Sequence, residues 1–427
     1  MIPVRQLSHF LFPCLGSLSL LAGSVSAQYS FTRTGDLPGG TVTSYAQAIS
    51  GDGLCTVGYS LVGSGQGRAF KFIAGALIDI NDLSGGTVAG NALAVNSDGN
   101  VIAGQGNGAS GAEACSWTNS NSPVGLGGTF AGGLFGSSVN AANADGSVLV
   151  GSFTSNGNDI LACKWVGGEL TPLLSSINGV TFIYATGVSD DGNVIAGVAT
   201  TALGDYVPCT MNNGVFSLLP TFLNADNFYD VAGVSGDGRV IVGNGQRLVG
   251  ASVRNVACRW VDGQIEYLGN LGGSFVLSRA YDCSSDGSVV VGYSNTAAGL
   301  AGFIWNQADG MRNLKTLASS APFNLGTAIG TFPLTRAVGI SDDGLVICGY
   351  GKFGAGNNDF DGYVLNLREA APCFADFNGD GGVDGTDVEV FFLTWAQGLD
   401  AADTNLDGGV DGSDVEVFFR QWSLGGC

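Results

Sequence analysis

The chain has 427 residues, 45% of them apolar and 12% charged, with 71 glycines and three methionines. That is long enough for a sizeable core plus a small second domain, and so glycine-rich a composition speaks against a helical body and for strands and turns. A formal charge of −20 argues against nucleic acid or anionic lipid as partners and suits an extracellular, calcium-containing setting.

Residues 1–27, MIPVRQLSHFLFPCLGSLSLLAGSVSA, read as a secretory signal peptide cleaved after Ala27, with one early Arg, an apolar centre and a Val-Ser-Ala exit. A transmembrane anchor fits less well, because the apolar run is short and broken by Ser and Gly. No later segment is long and apolar enough to span a bilayer. Cleavage removes Arg5 and leaves 15 basic and 36 acidic residues, a net charge of −21. It also removes His9, the one histidine, so the mature protein has no imidazole for Ser-His or Cys-His catalysis or for zinc.

From residue 28 to 367 the chain repeats. Ser/Asn-x-Asp-Gly recurs seven times, with its aspartates at Asp52, Asp98, Asp145, Asp191, Asp237, Asp286 and Asp343. A short alternating segment precedes each motif and a β-branched run ending in Gly follows it, such as VIAGQ or VVVGYS, which predicts a hairpin. A third strand places two bulky or thiol side chains on one face: Phe70/Phe72, Cys115/Trp117, Cys163/Trp165, Cys209/Met211, Cys258/Trp260, Phe303/Trp305 and Tyr363/Leu365. A fourth is expected to carry Leu-x-Gly-Gly, as at Leu83 and Leu271, shortened at Leu126.

The seventh unit lacks a fourth strand, and YSFTRTGDLPGGT after the signal peptide supplies one. Seven four-stranded units completed in this way predict a mainly β fold, a seven-bladed β-propeller closed by an N-terminal strand, which removes the open edge. A β-helix or an open stack of sheets is the competing architecture. The Asp-Gly turns then ring one face. SLVGSGQGR, NGQRLVGASVRN, KFGAGNNDF and ASSAPFNLGTAIGTFPLT fall on the other, as binding loops or as plain solvated connections.

RAFKF in the first unit and SDGSVVVGYS in the sixth resemble the HAF family of extracellular repeats, over residues 29–367. Four units depart from it by carrying Cys in place of Phe. The resemblance implies secretion and no particular chemistry.

Those four thiols, Cys115, Cys163, Cys209 and Cys258, occupy one equivalent position in successive units and read as buried and free, since adjacent blades hold them beyond bonding reach. Cys55, Cys283 and Cys348 have no assigned partner. Cys373 and Cys427 bracket the C-terminal module and are the disulfide candidates, with attachment or processing as the alternative role for Cys427.

After a linker at 368–372, residues 373–427 hold two copies of one acidic phrase. Asp376, Asn378, Asp380, the Gly382 carbonyl, Asp384 and Asp387 stand at positions 1, 3, 5, 7, 9 and 12 of a twelve-residue loop. Asp403, Asn405, Asp407, Gly409, Asp411 and Asp414 repeat the set. Calcium takes six to eight hard oxygens on such a loop, with a small residue at position 6, here Gly381 and Gly408. Val388, Phe391, Phe392 and Trp395, then Val415, Phe418, Phe419 and Trp422, predict an apolar helix stripe after each loop. Thr386 and Ser413 are the expected N-caps.

With no incoming helix and Asp at position 12, the two loop–helix units resemble the dockerin domain. CFADFNGDGG and the final GGC are similar to its GC type in bacterial secreted proteins. The resemblance implies two calcium ions, calcium-dependent folding and docking to a cohesin-like protein or other cell-surface component. Positions 10 and 11 are Gly385-Thr386 and Gly412-Ser413, where many cohesin-binding dockerins carry two hydroxyl residues.

The sequence thus describes a secreted or cell-surface propeller for binding or structure, carrying a calcium-dependent docking module. The alternative is a carbohydrate-active enzyme, a polysaccharide hydrolase or lyase with the propeller as its catalytic domain. Glycan is a candidate ligand under either reading. No paired carboxylate, arginine cluster or phosphate loop stands out in the body, so no catalytic residue is assigned.

Overall fold

A computed structural model describes residues 29–39, 43–63, 65–118, 121–127, 136–222, 229–352, 359–368, 375, 377–378, 383–404 and 408–423. Residues 1–27, expected to be a signal peptide, and Cys373 and Cys427 lie outside them. Tyr29–Arg368 forms one compact unit, and the C-terminal residues belong to a second.

The first unit is a ring of seven antiparallel sheets. The first blade runs Ser44–Ile49, Cys55–Val62, Gln66–Ile73 and Ala76–Asp79. The pattern recurs, and the fourth blade adds a short fifth strand, Ser176–Ile177. The last blade is completed from the other end of the chain. Ser30–Arg33 pairs antiparallel with Phe360–Asn366, placing Ser30 opposite Asn366 and Arg33 opposite Tyr363. The innermost strands of the first and last blades also touch, which closes the ring. Asp361, almost fully buried, fastens this seam by accepting from Arg33 Nε (2.6 Å), Gly35 N (3.2 Å) and Ser44 Oγ (3.1 Å).

Each Asp-Gly motif is the turn between the first two strands of a blade. Its Gly has φ between 67° and 76°, from Gly287 to Gly99, a region that L side chains avoid. The Asp carboxylate accepts the backbone N–H two residues on, as in Leu54 N to Asp52 (2.9 Å). The Ser or Asn at the start accepts from the opposite strand, as in Val240 N to Ser235 Oγ (2.9 Å). A second repeated Gly has another cause. Every innermost strand carries a β-bulge. The bulge brings a carbonyl of that strand so close to Gly58, Gly104, Gly151, Gly197, Gly243, Gly292 and Gly349 that a Cβ would overlap it.

All seven third-strand pairs are buried, including Trp117, Trp165, Trp260 and Tyr363. The thiols Cys55, Cys115, Cys163, Cys209, Cys258, Cys283 and Cys348 are buried and unpaired.

Two expectations need correction. Leu83, Leu126 and Leu271 lie beyond their fourth strands, which end at Asp79, Gly125 and Tyr267. Positive-φ glycines such as Gly85, Gly127 and Gly272 turn the chain towards the next blade there. The supposed binding loops are also largely structured. NGQRLVGASVRN lies in a hairpin of Val240–Val249 with Ser252–Val261, and most of SLVGSGQGR belongs to Cys55–Val62 and Gln66–Ile73. ASSAPFNLGTAIGTFPLT overlaps the helix Leu314–Ser319 and includes the helix Gly326–Ile329. Its Leu325, Ile329, Phe332 and Leu334 pack into one core with Ile347, Tyr363 and Leu365. Part of KFGAGNNDF, residues 353–358, lies outside the described residues.

The second unit contains the helices Gly385–Trp395 and Gly412–Ser423 and a short 3₁₀ turn, Asp400–Ala402. Phe391 and Phe418 are fully buried and stack with centroids 4.1 Å apart and an interplanar angle of 1°. Phe392 stays 39% exposed, so the first stripe is narrower than expected. The N-cap of the first helix is Asp384 rather than Thr386. It accepts from Thr386 N, while Asp387 bonds back to Asp384 N in a capping box. Asp411 makes the same bonds with Ser413 and Asp414, displacing Ser413 from that role.

Candidate functional site

In the C-terminal unit the two acidic phrases take up matching positions. Asp387 and Asp414, at position 12, are fully buried, an expensive place for a carboxylate without compensation. Asp387 accepts from Asn378 N (3.1 Å) and Asp384 N (2.8 Å). Asp414 accepts from Thr404 N (2.8 Å) and Asp411 N (2.8 Å). In the second loop, Gly408 at position 6 has φ +86° and donates its N–H to Asp403 at position 1 (2.9 Å). That bond ties the Gly408 backbone to the position-1 carboxylate. The two halves are tied reciprocally, Trp395 Nε1 donating to Asp411 O (2.8 Å) and Trp422 Nε1 to Asp384 O (3.2 Å).

Asp384 and Asp411 sit below the usual carboxylate range. The Thr386 hydroxyl and then its backbone N–H favour ionised Asp384, and the Ser413 backbone N–H and then its hydroxyl favour ionised Asp411. Of the expected ligand positions, Asn378, Asp384, Asp387, Asp403, Gly409, Asp411 and Asp414 are described. Asp376, Asp380, Gly382, Asn405 and Asp407 are outside the described residues. Among the described residues no three His, Cys, Asp or Glu side chains converge as a metal group. The side chains that the two phrases offer are hard-oxygen donors, which fits calcium in kind.

The propeller presents a second site, its central channel, of about 200 Å³. The bulges build its wall by turning one residue per innermost strand towards the axis: Gln47, Leu93, Asn140, Thr186, Ala232, Tyr281 and Val338. At the turn face, a collar of hydrogen bonds passes from blade to blade, all of them between backbone groups except the one that the Asn143 side chain donates. Asp52 N reaches Ser97 O (2.8 Å), Ser97 N reaches Ala144 O (3.0 Å), and Asn143 Nδ2 reaches Asp190 O (3.2 Å). Asp190 N then reaches Gly236 O (2.9 Å), Gly236 N reaches Ser285 O (2.8 Å), Ser285 N reaches Asp342 O (3.0 Å), and Asp342 N returns to Gly51 O (2.9 Å).

The wall is mostly small residues, yet it holds three carboxylates. Asp190 and Asp342 fill the variable position of their Ser-x-Asp-Gly motifs, and Asp282 follows a bulge. Burial raises the pKa of Asp342, and the nearby Asp190 charge raises it further. Asp282 is pushed up to about 7 by burial, against the N–H groups of Ile340 (3.0 Å) and Cys283 (2.9 Å) that it accepts. These acids escaped the sequence reading. Aligning the repeats does show them, as Asp where other units have Gly, Ala or Ser.

Another cluster spans the last, first and sixth blades, at the opposite ends of the same strands. Tyr45 stacks on Tyr59 (4.9 Å) and meets Tyr350 edge-on (4.9 Å). Arg336 lies over the rings of Tyr293 (4.8 Å) and Tyr350 (5.6 Å). Arg279 and Arg336, far apart in sequence, both meet Tyr281: Arg279 lies over its ring (4.9 Å) and Arg336 Nη1 donates to its hydroxyl (3.0 Å).

No family model and no curated protein matches the chain. Among solved structures, the chain is similar to the β-propeller domain of the Trilobed protease from Pyrococcus furiosus, with 9% identity over 77% of this chain and 97% of that one, and a TM-score of 0.49. Oligogalacturonate lyase in complex with manganese shows 12% identity over 80% and 97% of the two chains, with a TM-score of 0.47. TolB from Acinetobacter baumannii shows 15% identity over 66% of each chain, with a TM-score of 0.40. These likenesses bear on the fold alone. The seven-bladed architecture rests on the strand order itself. Among the described residues no helix is long and apolar enough to cross a membrane.

Proposed function

We propose that the mature chain is a secreted or cell-surface binding propeller, anchored through a dockerin-like module that folds around two calcium ions. The observation that carries this reading is the pair of fully buried carboxylates, Asp387 and Asp414, each closing a loop of the same acidic phrase onto its own helix. Buried acids at equivalent positions of two cation-type loops are what a calcium module requires. Docking has further support in the first helix, whose Val390, Phe392 and Leu393 are 36%, 39% and 58% exposed, an apolar surface for a cohesin-like or other cell-surface protein to cover. The hydroxyls of Thr386 and Ser413 bond to Asp384 and Asp411 of their own loops (2.7 Å each), which favours recognition through that apolar surface.

The test is limited proteolysis of the mature protein with millimolar calcium or excess chelator, read by mass spectrometry. The module is expected to be cut only in chelator, with the propeller intact in both. Equal cutting within residues 375–423 under both conditions would sink the reading.

A second reading, a carbohydrate-active enzyme, is favoured by one observation, the Asp190 and Asp342 carboxylates in the channel with Asp282 held near neutrality. A carboxyl whose pKa burial raises, set among other carboxylates, is the kind of acid that glycoside cleavage uses as its proton donor.

A further inference from the structure

We infer that Arg336 and the tyrosines around it form a binding site for a carboxylate-bearing sugar, a uronate. The argument starts from an uncompensated charge. In this acidic protein, arginines such as Arg33, Arg259, Arg279 and Arg368 each hold an Asp or Glu. Arg336 is half-buried and makes no ion pair among the described residues. Its Nη1 donates to the hydroxyls of Tyr281 (3.0 Å) and Tyr350 (3.1 Å). Among the described residues, its Nε and Nη2 have no acceptor and are not sealed from solvent.

That edge is the one that engages a carboxylate with two parallel hydrogen bonds. The rings of Tyr293 and Tyr350 lie against the guanidinium, and with the two hydroxyl bonds they set its orientation before any ligand arrives. The surroundings select for a sugar. Tyr45 and Tyr59 continue the platform from Tyr350 into the first blade, presenting partly exposed rings and hydroxyls suited to the apolar and polar sides of a pyranose. Tyr59, Tyr293 and Tyr350 stand on second strands paired on both sides, which offer a peptide no edge to extend, while Arg336 and Tyr45 stand on innermost strands paired on one side. Arg279, the adjacent cation, is occupied by Asp230, which leaves Arg336 as the anchor.

This inference rests on reading the propeller as the binding body and is independent of the calcium module. The experiment therefore titrates the mature protein in chelator, by calorimetry, with oligogalacturonates and oligoglucuronates. Their methyl-esterified forms, neutral oligosaccharides and a peptide with a free C-terminal carboxylate are the comparisons. The uronates are expected to bind at least tenfold more tightly than their esters, and less tightly as salt rises. Arg336→Ala should remove that preference, and Arg336→Lys should retain part of it. The acid-versus-ester comparison needs no variant, so the test survives a misfolded substitution. Equal affinity for acid and ester, or tighter binding of the peptide than of any uronate, would overturn the proposal. A neutral oligosaccharide that binds with no uronate preference would overturn it too, while leaving the binding propeller in place.

Discussion

Asp282 shows how one residue departs from a repeat. Its equivalents in the other blades are Ala48, Ala94, Ala141, Gly187, Gly233 and Gly339, all small because the bulge crowds that point against the next blade. Burial pushes a carboxyl there up to about 7, well above the usual aspartate range. The folded state therefore binds a proton that the unfolded state has released across this window. Its contribution to stability is full below the unfolded pKa and is lost as pH rises through the folded one, an effect of up to about 4 kcal/mol. The one histidine of the sequence, His9, precedes the propeller and does not titrate within it. Denaturant midpoints of the mature protein should fall from pH 5 to pH 8. Asp282→Ala, which restores the residue type of the other repeats, should flatten that slope, and an unchanged slope would assign it elsewhere. The Asp was visible in YDCSSDG beside AGVSGDG. Its exposure to the channel was not, because a bulge shifts register without any fixed residue signature.

At the scale of the element, the closing strand and the long connections teach opposite lessons. The pairing of Ser30–Arg33 with Phe360–Asn366 was legible as arithmetic, one strand missing at one end and one spare at the other. The connections were misread because the variable lengths between repeated strands were taken for loop. Gln246 to Asn255 extends its hairpin beyond the core, with Arg247 and Arg254 exposed and directly opposite each other. ASSAPFNLGTAIGTFPLT hides its apolar residues at helical spacing too short to register as a periodic pattern. The seam itself makes a prediction. Asp361 is buried while the Arg33 side chain is 46% exposed, so their pairing is partly screened. Arg33→Ala should cost about 1–3 kcal/mol by leaving that carboxylate under-compensated. Deleting residues 28–40 should do more, exposing the edge of the last blade and promoting aggregation, visible by light scattering. A deletion variant that stays monomeric with an unchanged melting temperature would contradict the closure.

For the molecule as a whole, a scaffold of repeated turns carries function only where the repeat is broken or where a different module is joined. In the C-terminal unit the two helices were legible, since the apolar stripe that each carries is written twice in order. Their caps were less so, because Asp384 and Asp411 serve the helix ends as well as loop position 9. The reciprocal bonds of Trp395 and Trp422 to the opposite loops make the two halves one cooperative body. Calcium affinity at one loop should thus depend on the other. Asp403→Ala is expected to weaken binding at both loops and to reduce tryptophan burial, read by fluorescence. The most direct test is a calorimetric calcium titration of the oxidised mature protein, beside the Asp376→Ala plus Asp403→Ala variant. Two ions bound per chain, with a gain of helix by circular dichroism and neither change in the variant, is the outcome expected. A stoichiometry below two, or binding that the double substitution leaves intact, would contradict it.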